Sequence, residues 1–167
     1  AGVDPSGNEL WSHKLPAGVV AGPVAWAGGA AVADGLGGLH LISAAGAVTW
    51  TRDLGSPALD LRASLDGGAI WAATTAGRIL AHARDGQPLV ALSPLASPTR
   101  LVPLASGALL VASRGGGLSL LDNRRGTVRP VGEVAGQVLD AHPLPGGRVL
   151  LATDDGEVVT VSIQGKK

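Results

Sequence analysis

The chain has 167 residues, with 13 basic and 13 acidic side chains, a formal net charge of zero and no cysteine. A neutral chain lacks the basic surface on which nucleic-acid binding depends, and a chain without cysteine has no disulfide framework or thiol nucleophile. Hydrophobic residues make up 46% of the sequence, which is too many for a disordered chain, and we predict no membrane-spanning segment.

Glycines recur along the chain with a single period. Three series keep an interval of 39 or 40 residues between successive members. A period of this length indicates a repeat architecture, in which each unit buries its apolar face against its neighbours. The series are Gly7, Gly46, Gly86 and Gly126, then Gly29, Gly68, Gly107 and Gly147, and finally Gly38, Gly77, Gly117 and Gly156.

Each period contains four short apolar segments that are separated by turn residues. In the first period these segments are Val24–Ala27, Ala30–Ala33, Leu39–Ile42 and Ala47–Arg52. Short runs between turns are typical of antiparallel strands joined by hairpins. We expect repeats over residues 22–52, 58–92, 98–131 and 138–163, the last of them completed by residues 8–14.

Four strands in a repeat of about 40 residues are typical of a propeller blade. We therefore predict an all-β fold, a β-propeller of four-stranded antiparallel blades, as one domain over residues 1–167. A sandwich or a β-solenoid is the alternative. A sandwich rarely keeps a constant period, and the rungs of a solenoid are usually shorter.

The two ends of the chain bear on how the blades close. Residues 8–14 have the pattern of a lone fourth strand, whereas the last repeat has a first, second and third strand only. Pairing these segments protects two strand edges and makes a four-bladed ring. Two alternatives stay open, because the chain also fits part of a longer array, or a homodimer that completes an eight-bladed ring.

A motif lies around the turn between the third and fourth strands. Residues 4–11 have the pattern Asp-x-x-Gly-x-x-x-Trp, and residues 43–50 repeat it with Ser in place of Asp. This pattern resembles the repeat of the pyrroloquinoline-quinone-type (PQQ-like) β-propellers. The resemblance implies that Trp11 and Trp50 dock against the neighbouring blade. In the later copies Val90 and Pro130 stand where Trp is expected.

The resemblance implies two kinds of function. Quinone-dependent dehydrogenases of this type use the quinone and calcium, but they are much longer and often have a vicinal cysteine pair that this chain lacks. Non-catalytic members act as docking scaffolds. We therefore expect a non-enzymatic protein–protein interaction scaffold without a cofactor, in a periplasmic or otherwise extracytoplasmic bacterial assembly. The alternatives are a fragment or subunit of a quinone-dependent dehydrogenase and a propeller that binds a small ligand or glycan.

Charged side chains in the predicted inner strands are the candidates for a central site. Because inner strands surround the axis of a propeller, we expect these side chains to line the channel. They suit either a polar ligand site, with Arg for an anion and an Asp–His pair for proton transfer, or a mutually paired, solvated lining. The second interpretation is favoured. The candidates are Asp60, Arg62, Arg100, Asp140 and His142.

Other polar segments are explained by turns. The acidic run from Asp154 to Glu157 is predicted to be a hairpin turn and not a calcium site, because its spacing differs from that of known calcium loops. We expect no metal site. Partner contacts are predicted in the loops between strands, namely Leu15–Gly18, Asp53–Pro57, Ser93–Ser97, Gly132–Gly136, Asp34–Gly37, Thr74–Ala76, Arg114–Gly116 and Asp154–Asp155.

Overall fold

The computed structural model describes residues 1–92, 97–122 and 126–163. Over these residues the chain forms strands and no helix. The strands are β1 (Gly2–Val3), β2 (Glu9–Trp11), β3 (Val19–Trp26), β4 (Gly29–Asp34), β5 (Gly38–Ser43), β6 (Val48–Asp53), β7 (Ala58–Ala63), β8 (Ala69–Thr74), β9 (Ile79–Ala83), β10 (Pro88–Leu92), β11 (Pro98–Pro103), β12 (Leu109–Ser113), β13 (Gly117–Asp122), β14 (Thr127–Glu133), β15 (Val138–Leu144), β16 (Arg148–Thr153) and β17 (Val158–Ser162).

The strands form five antiparallel sheets in chain order. Blade 1 is β3–β6, blade 2 is β7–β10, blade 3 is β11–β14, and blade 4 has β15–β17 among the described residues. The N-terminal hairpin is β1–β2. Each of the first three blades is a four-stranded meander, which is the unit expected from the repeat. The predicted fold class, an all-β chain of small antiparallel blades, is confirmed.

Glycine at the turn between third and fourth strands has a conformational reason. Gly7, Gly46 and Gly86 have φ values of 83°, 83° and 80°, a region that side chains disfavour. In each turn the glycine N–H donates to the carbonyl three residues earlier, for example from Gly46 to Ser43 at 2.9 Å. The first glycine series of the sequence therefore marks equivalent turns in successive sheets.

The hydrophobic core lies between the blades. One cluster joins blades 1 and 2, a second joins blades 2 and 3, and a third joins blades 3 and 4. The first strands lie next to one another in the order β3, β7, β11, β15. Each blade packs against the next through one face of its sheet. We call the face toward the following blade the leading face and the opposite face the trailing face.

The two ends of the array differ from the predicted closure. β2 pairs with β1, with Gly2 opposite Trp11 and Val3 opposite Glu9, and it does not lie in the sheet of β17. In the described part of the chain β17 pairs with β16 alone. The expectation that residues 8–14 complete the last blade is therefore wrong for this structure, because Gly2–Val3 already takes the third-strand position beside β2. The sheets formed by the described strands do not close into a ring.

Candidate functional site

Charged side chains link the first strands of blades 2 and 4. Side chains two residues apart on a strand share one face, so Asp60 lies beside Arg62 and Asp140 beside His142. Arg62 Nε is 3.2 Å from Asp60 Oδ2, and Arg62 Nη2 is 3.5 Å from Asp140 Oδ1. His142 Nε2 is 3.3 Å from Asp140 Oδ2. The cluster is a chain of opposite charges across the inner strands.

Asp60 is the buried member of this cluster, with a side chain that is 12% exposed. Its Oδ2 accepts a hydrogen bond of 2.8 Å from the backbone N–H of Leu101 on β11. Burial raises the pKa of the Asp60 carboxyl above its ordinary value, although the Leu101 N–H and the charge of Arg62 act in the opposite direction. Asp60 therefore joins blade 2 to blade 3.

Arg100 forms the next link. Its Nε donates to the carbonyl oxygen of Leu139 on β15 at 2.6 Å, and its Nη1 donates to the carbonyl of Thr99 at 2.8 Å. Its positive charge also acts on Asp60. The backbone partners Leu101 and Leu139 had no signal in the sequence, because any residue type supplies an N–H or a carbonyl.

Asp140 and His142 are the exposed members, with side chains that are 56% and 67% exposed. Partial burial acts to raise the pKa of Asp140. The N–H of Ala141 and the positive charges of His142 and Arg62 outweigh it and hold that pKa below the ordinary value. All five predicted residues thus lie on three adjacent inner strands. Their polar groups form ion pairs and hydrogen bonds mainly with one another and with the backbone.

The predicted docking tryptophans contact equivalent turns. Trp50 Nε1 donates to the carbonyl of Arg84 in blade 2 at 2.9 Å, and Trp11 Nε1 donates to the carbonyl of Ala44 in blade 1, also at 2.9 Å. Trp26, a buried residue of the first strand of blade 1, makes a further contact of this kind: its Nε1 donates to the carbonyl of Gly67 in blade 2 at 3.0 Å. The rings of Trp26 and Trp50 meet edge to face with centroids 6.2 Å apart, a favourable aromatic geometry.

Sequence reasoning also missed a polar triad inside blade 1. His40 Nε2 is 2.8 Å from Asp34 Oδ2, and His40 Nδ1 is 3.0 Å from Thr51 Oγ1. The other oxygen of Asp34 accepts the N–H groups of Leu36 and Gly38. Burial acts to raise the pKa of Asp34, but the His40 hydrogen bond and the two N–H groups outweigh it and lower that pKa. Through these hydrogen bonds the triad connects the turn between β4 and β5 to Thr51 on β6.

His82 lies buried at the joint between blades 1 and 2. Its ring is 6.5 Å from that of Trp50, and its Nδ1 has no hydrogen-bond partner among the residues that the structure describes. Burial, followed by the positive charge of Arg52, lowers the pKa of His82. The geometry therefore favours the neutral imidazole.

An apolar groove lies on the trailing face of blade 1. It has a volume of about 740 Å³ and is lined by Trp11, residues 13–19 and side chains of β3–β5, among them Val32 and Ile42. We call it the blade-1 groove. The predicted loop Leu15–Gly18 forms part of its wall.

Two further sequence predictions concern loops and ions. Of the predicted loop Ser93–Ser97, residues 93–96 lie outside the described residues. Within the described ranges no group of three or more His, Cys, Asp or Glu side chains is placed to hold a metal ion.

The acidic run Asp154–Glu157 forms the turn between β16 and β17. In this turn the Gly156 N–H donates to the carbonyl oxygen of Thr153 at 3.1 Å. The described residues contain no helix that could span a membrane.

Comparison with known proteins places the fold. No protein-family model matches the chain, and no curated protein matches it. Among solved structures, BamB from Moraxella catarrhalis is similar over 92% of this chain and 52% of its own, at 17% identity and a TM-score of 0.67. The β-propeller domain of Cps50 (Swd1) from Myceliophteria thermophila is similar over 87% of this chain and 54% of its own, at 12% identity and a TM-score of 0.77.

A computationally designed protein, Ika4, is similar over 95% of this chain and 99% of its own, at 15% identity and a TM-score of 0.75. The chain thus spans about half the length of the BamB and Swd1 chains that it resembles. At these identities the similarity concerns the fold alone: the protein is an array of propeller blades.

Proposed function

We propose that the protein is a non-enzymatic scaffold for protein–protein interaction, of the PQQ-like repeat type, which binds other protein subunits at the open ends of its blade array. The observation that carries the proposal is the unpaired edge of β17. The third strands β5, β9 and β13 each pair on both sides, whereas β17 pairs with β16 alone among the described strands. An edge of this kind accepts an extended segment of another protein by strand addition.

The existing fourth strands indicate what such a segment looks like. In β6, Trp50 is opposite Leu41 and packs into the core between the blades. In β10 the equivalent residue is Val90, which is opposite Ala81 and packs against the cluster between blades 2 and 3, whereas in β14 this position, opposite Leu120, is Arg129. The partner segment is therefore an extended peptide with a large apolar side chain opposite Thr160, which is the position of β17 equivalent to Leu41.

The polar cluster around Arg62 supports a structural role for the inner strands. Its carboxylates are engaged by Arg62, His142 and backbone N–H groups, so the cluster is used to join blades. A free acid–base pair facing a substrate is the arrangement that catalysis needs. We therefore propose no catalytic residue.

A labelled peptide tests the proposal directly. A fluorescein-labelled peptide with the sequence of residues 46–54, which contain β6, is titrated with dilute protein, in which the outer edge of β17 is unpaired among the described strands. We expect saturable binding that weakens at least tenfold for Thr160→Asp and strengthens for Thr160→Leu. Leu89→Ser, which changes an exposed leucine on the outer strand of blade 2, serves as the control. Absence of saturable binding contradicts the proposal.

The runner-up is a fragment or subunit of a quinone-dependent dehydrogenase. Titration with pyrroloquinoline quinone in the presence of Ca²⁺ separates the two functions. We expect no saturable change in the absorption spectrum of the quinone. A saturable change that requires folded protein overturns the scaffold proposal. A glycan-binding propeller is a further candidate, but the loops of the successive blades carry different polar residues.

We propose an extracytoplasmic bacterial location on two grounds, the resemblance of the tryptophan motif to PQQ-like repeats and the structural similarity to BamB. A second copy of the chain is included among the protein partners of the scaffold.

A further inference from the structure

We propose that the partner at the β17 edge is a second copy of the chain, in which β17 pairs with β2 of the other copy in place of that copy's own β1. Two such head-to-tail contacts join two copies into a ring of eight four-stranded blades. The inference rests on the proposed function, because it names one partner for the same edge.

The register of the blades shows which residues meet. In every blade an alanine of the second strand is opposite an aliphatic residue of the third. These pairs are Ala33–Leu39, Ala73–Ile79, Ala112–Leu118 and Ala152–Val158. Val158 is therefore equivalent to Leu39, and Thr160, two residues later, is equivalent to Leu41.

The N-terminal hairpin repeats the same register. Gly2 is opposite Trp11 and Val3 is opposite Glu9, as Leu41 is opposite Trp50 and Ile42 opposite Val48. Gly2 on β1 is therefore equivalent to Thr160 on β17, and either strand can take the place of the third strand beside β2. β1 has only two residues, whereas β17 has five and gives β2 a longer ladder. Exchange of β1 for β17 places Thr160 opposite Trp11 and Val158 opposite His13.

The leading face of blade 4 lacks the cover that the other blades have. Leu39, Ile79 and Leu118 on the leading faces of blades 1–3 are 0%, 0% and 3% exposed, whereas the equivalent Val158 is 68% exposed. Leu150 and Ala152 on the same face are only half-buried. The face therefore has the side-chain pattern of an inter-blade contact without the following blade.

The blade-1 groove is the matching surface. It is lined by Ala30, Val32 and Ile42 on the trailing face of blade 1, and the N-terminal hairpin covers the outer part of that face. In blades 2–4 the trailing face contacts the first and second strands of the preceding blade. The hairpin supplies only a third and a fourth strand, so β15 and β16 of a second copy complete the missing blade.

The separation of the two end blades favours a second copy over closure within one chain. First-strand contacts run from β3 through β7 and β11 to β15, and among the described strands β15 has no comparable contact with β3. The chain spans 54% of a solved β-propeller domain at a TM-score of 0.77. An open array of blades closes into a ring when two copies meet head to tail at both ends, and closed cyclic dimers are the commonest oligomers.

Molar mass in solution is the first test. Light scattering on the full chain is expected to give twice the 16.5 kDa of one copy. Val158→Asp is expected to shift the mass to that of one copy, because it places a charge inside the contact. Leu89→Asp, at a similarly exposed leucine on the outer strand of blade 2, is expected to leave it unchanged. A natural chain with the mass of one copy at all accessible concentrations overturns the inference.

Disulfide trapping tests the register, since the chain has no cysteine of its own. A mixture of the single variants Val158→Cys and His13→Cys is expected to form a disulfide between two chains. A mixture of Val158→Cys with Glu9→Cys, four residues out of register, is expected to form little. In the double variant, a disulfide within one chain shows four-bladed self-closure and overturns the inference. Peptide binding to β17 by a chain with the mass of one copy also overturns it but leaves the proposed function intact.

Discussion

Asp60 on the first strand of blade 2 accepts a hydrogen bond of 2.8 Å from the backbone N–H of Leu101 on the first strand of blade 3. The same carboxylate oxygen is 3.2 Å from Arg62 Nε, and the side chain is largely buried. One carboxylate therefore holds two blades together where they are closest to the axis. The cluster of charged residues, for which the sequence left a ligand site open, therefore stabilises the contact between neighbouring blades.

Replacing Asp60 tests that use. Asp60→Ala leaves the Leu101 N–H without its acceptor, and an unsatisfied buried donor costs about 1–3 kcal/mol. We expect the free energy of unfolding, measured with urea, to fall by about that amount. Asp140→Ala removes a carboxylate that is more than half exposed and is expected to cost less than about 1 kcal/mol. Equal losses for the two variants contradict the assignment.

The sequence predicted the cluster because its members alternate on short strands. Asp60 with Arg62, and Asp140 with His142, stand two residues apart, so each pair shares one face. The 39–40-residue period then predicted that the first strands lie side by side. The hydrogen bonds from Arg100 to Leu139 and from Leu101 to Asp60 could not be predicted, because their backbone partners carry no side-chain signature.

The pairing of the chain ends could not be predicted either. β2 has two possible third-strand partners, Gly2–Val3 in the same hairpin and Val158–Ser162 at the far end. Local sequence does not rank them, because both satisfy the same ladder. The hairpin pairing has the shorter loop and therefore the smaller entropic cost of loop closure.

The triad of Asp34, His40 and Thr51 could not be predicted from the sequence, because its members are spread across a turn and two strands.

Truncation of the inter-blade tryptophans tests the docking geometry. Trp50 is 9% exposed, and replacing a buried tryptophan by alanine costs about 3–5 kcal/mol. We expect Trp50→Ala to lose about that much stability in urea unfolding. Trp50→Phe is expected to lose less, since it keeps an aromatic ring and removes the hydrogen bond to Arg84. Trp11 is only half-buried, so a larger loss for Trp11→Ala than for Trp50→Ala argues against this ranking.

The triad in blade 1 gives a matched comparison of two aspartates. Asp34→Ala removes the acceptor of the Leu36 and Gly38 N–H groups and the partner of His40, and an unsatisfied buried donor costs about 1–3 kcal/mol. Asp53, whose carboxylate accepts the N–H of Gly55, is exposed, and Asp53→Ala is expected to cost about 1 kcal/mol or less. Thermal unfolding of the two variants measures the difference. Similar melting temperatures contradict a role of the triad in holding the turn.

His82 makes stability depend on pH. Its folded pKa lies below the ordinary value of 6.5, so the unfolded chain binds the proton more readily. Its contribution to stability is therefore complete above about pH 6.5 and is lost as the pH falls toward the folded pKa. We expect urea midpoints to decrease over that range, and we expect His82→Phe to flatten the decrease. An unchanged slope in the variant would show that another group is responsible.

The most direct measurement for the scaffold is amide hydrogen exchange of Val158–Ser162, recorded in dilute protein with and without the peptide of residues 46–54. We predict that exchange in this strand slows when the peptide is present, approaching the rate of the doubly paired strand Gly117–Asp122. Exchange that stays equally fast at saturating peptide, with the other strands unaffected, contradicts the claim that the last blade receives a strand from another molecule.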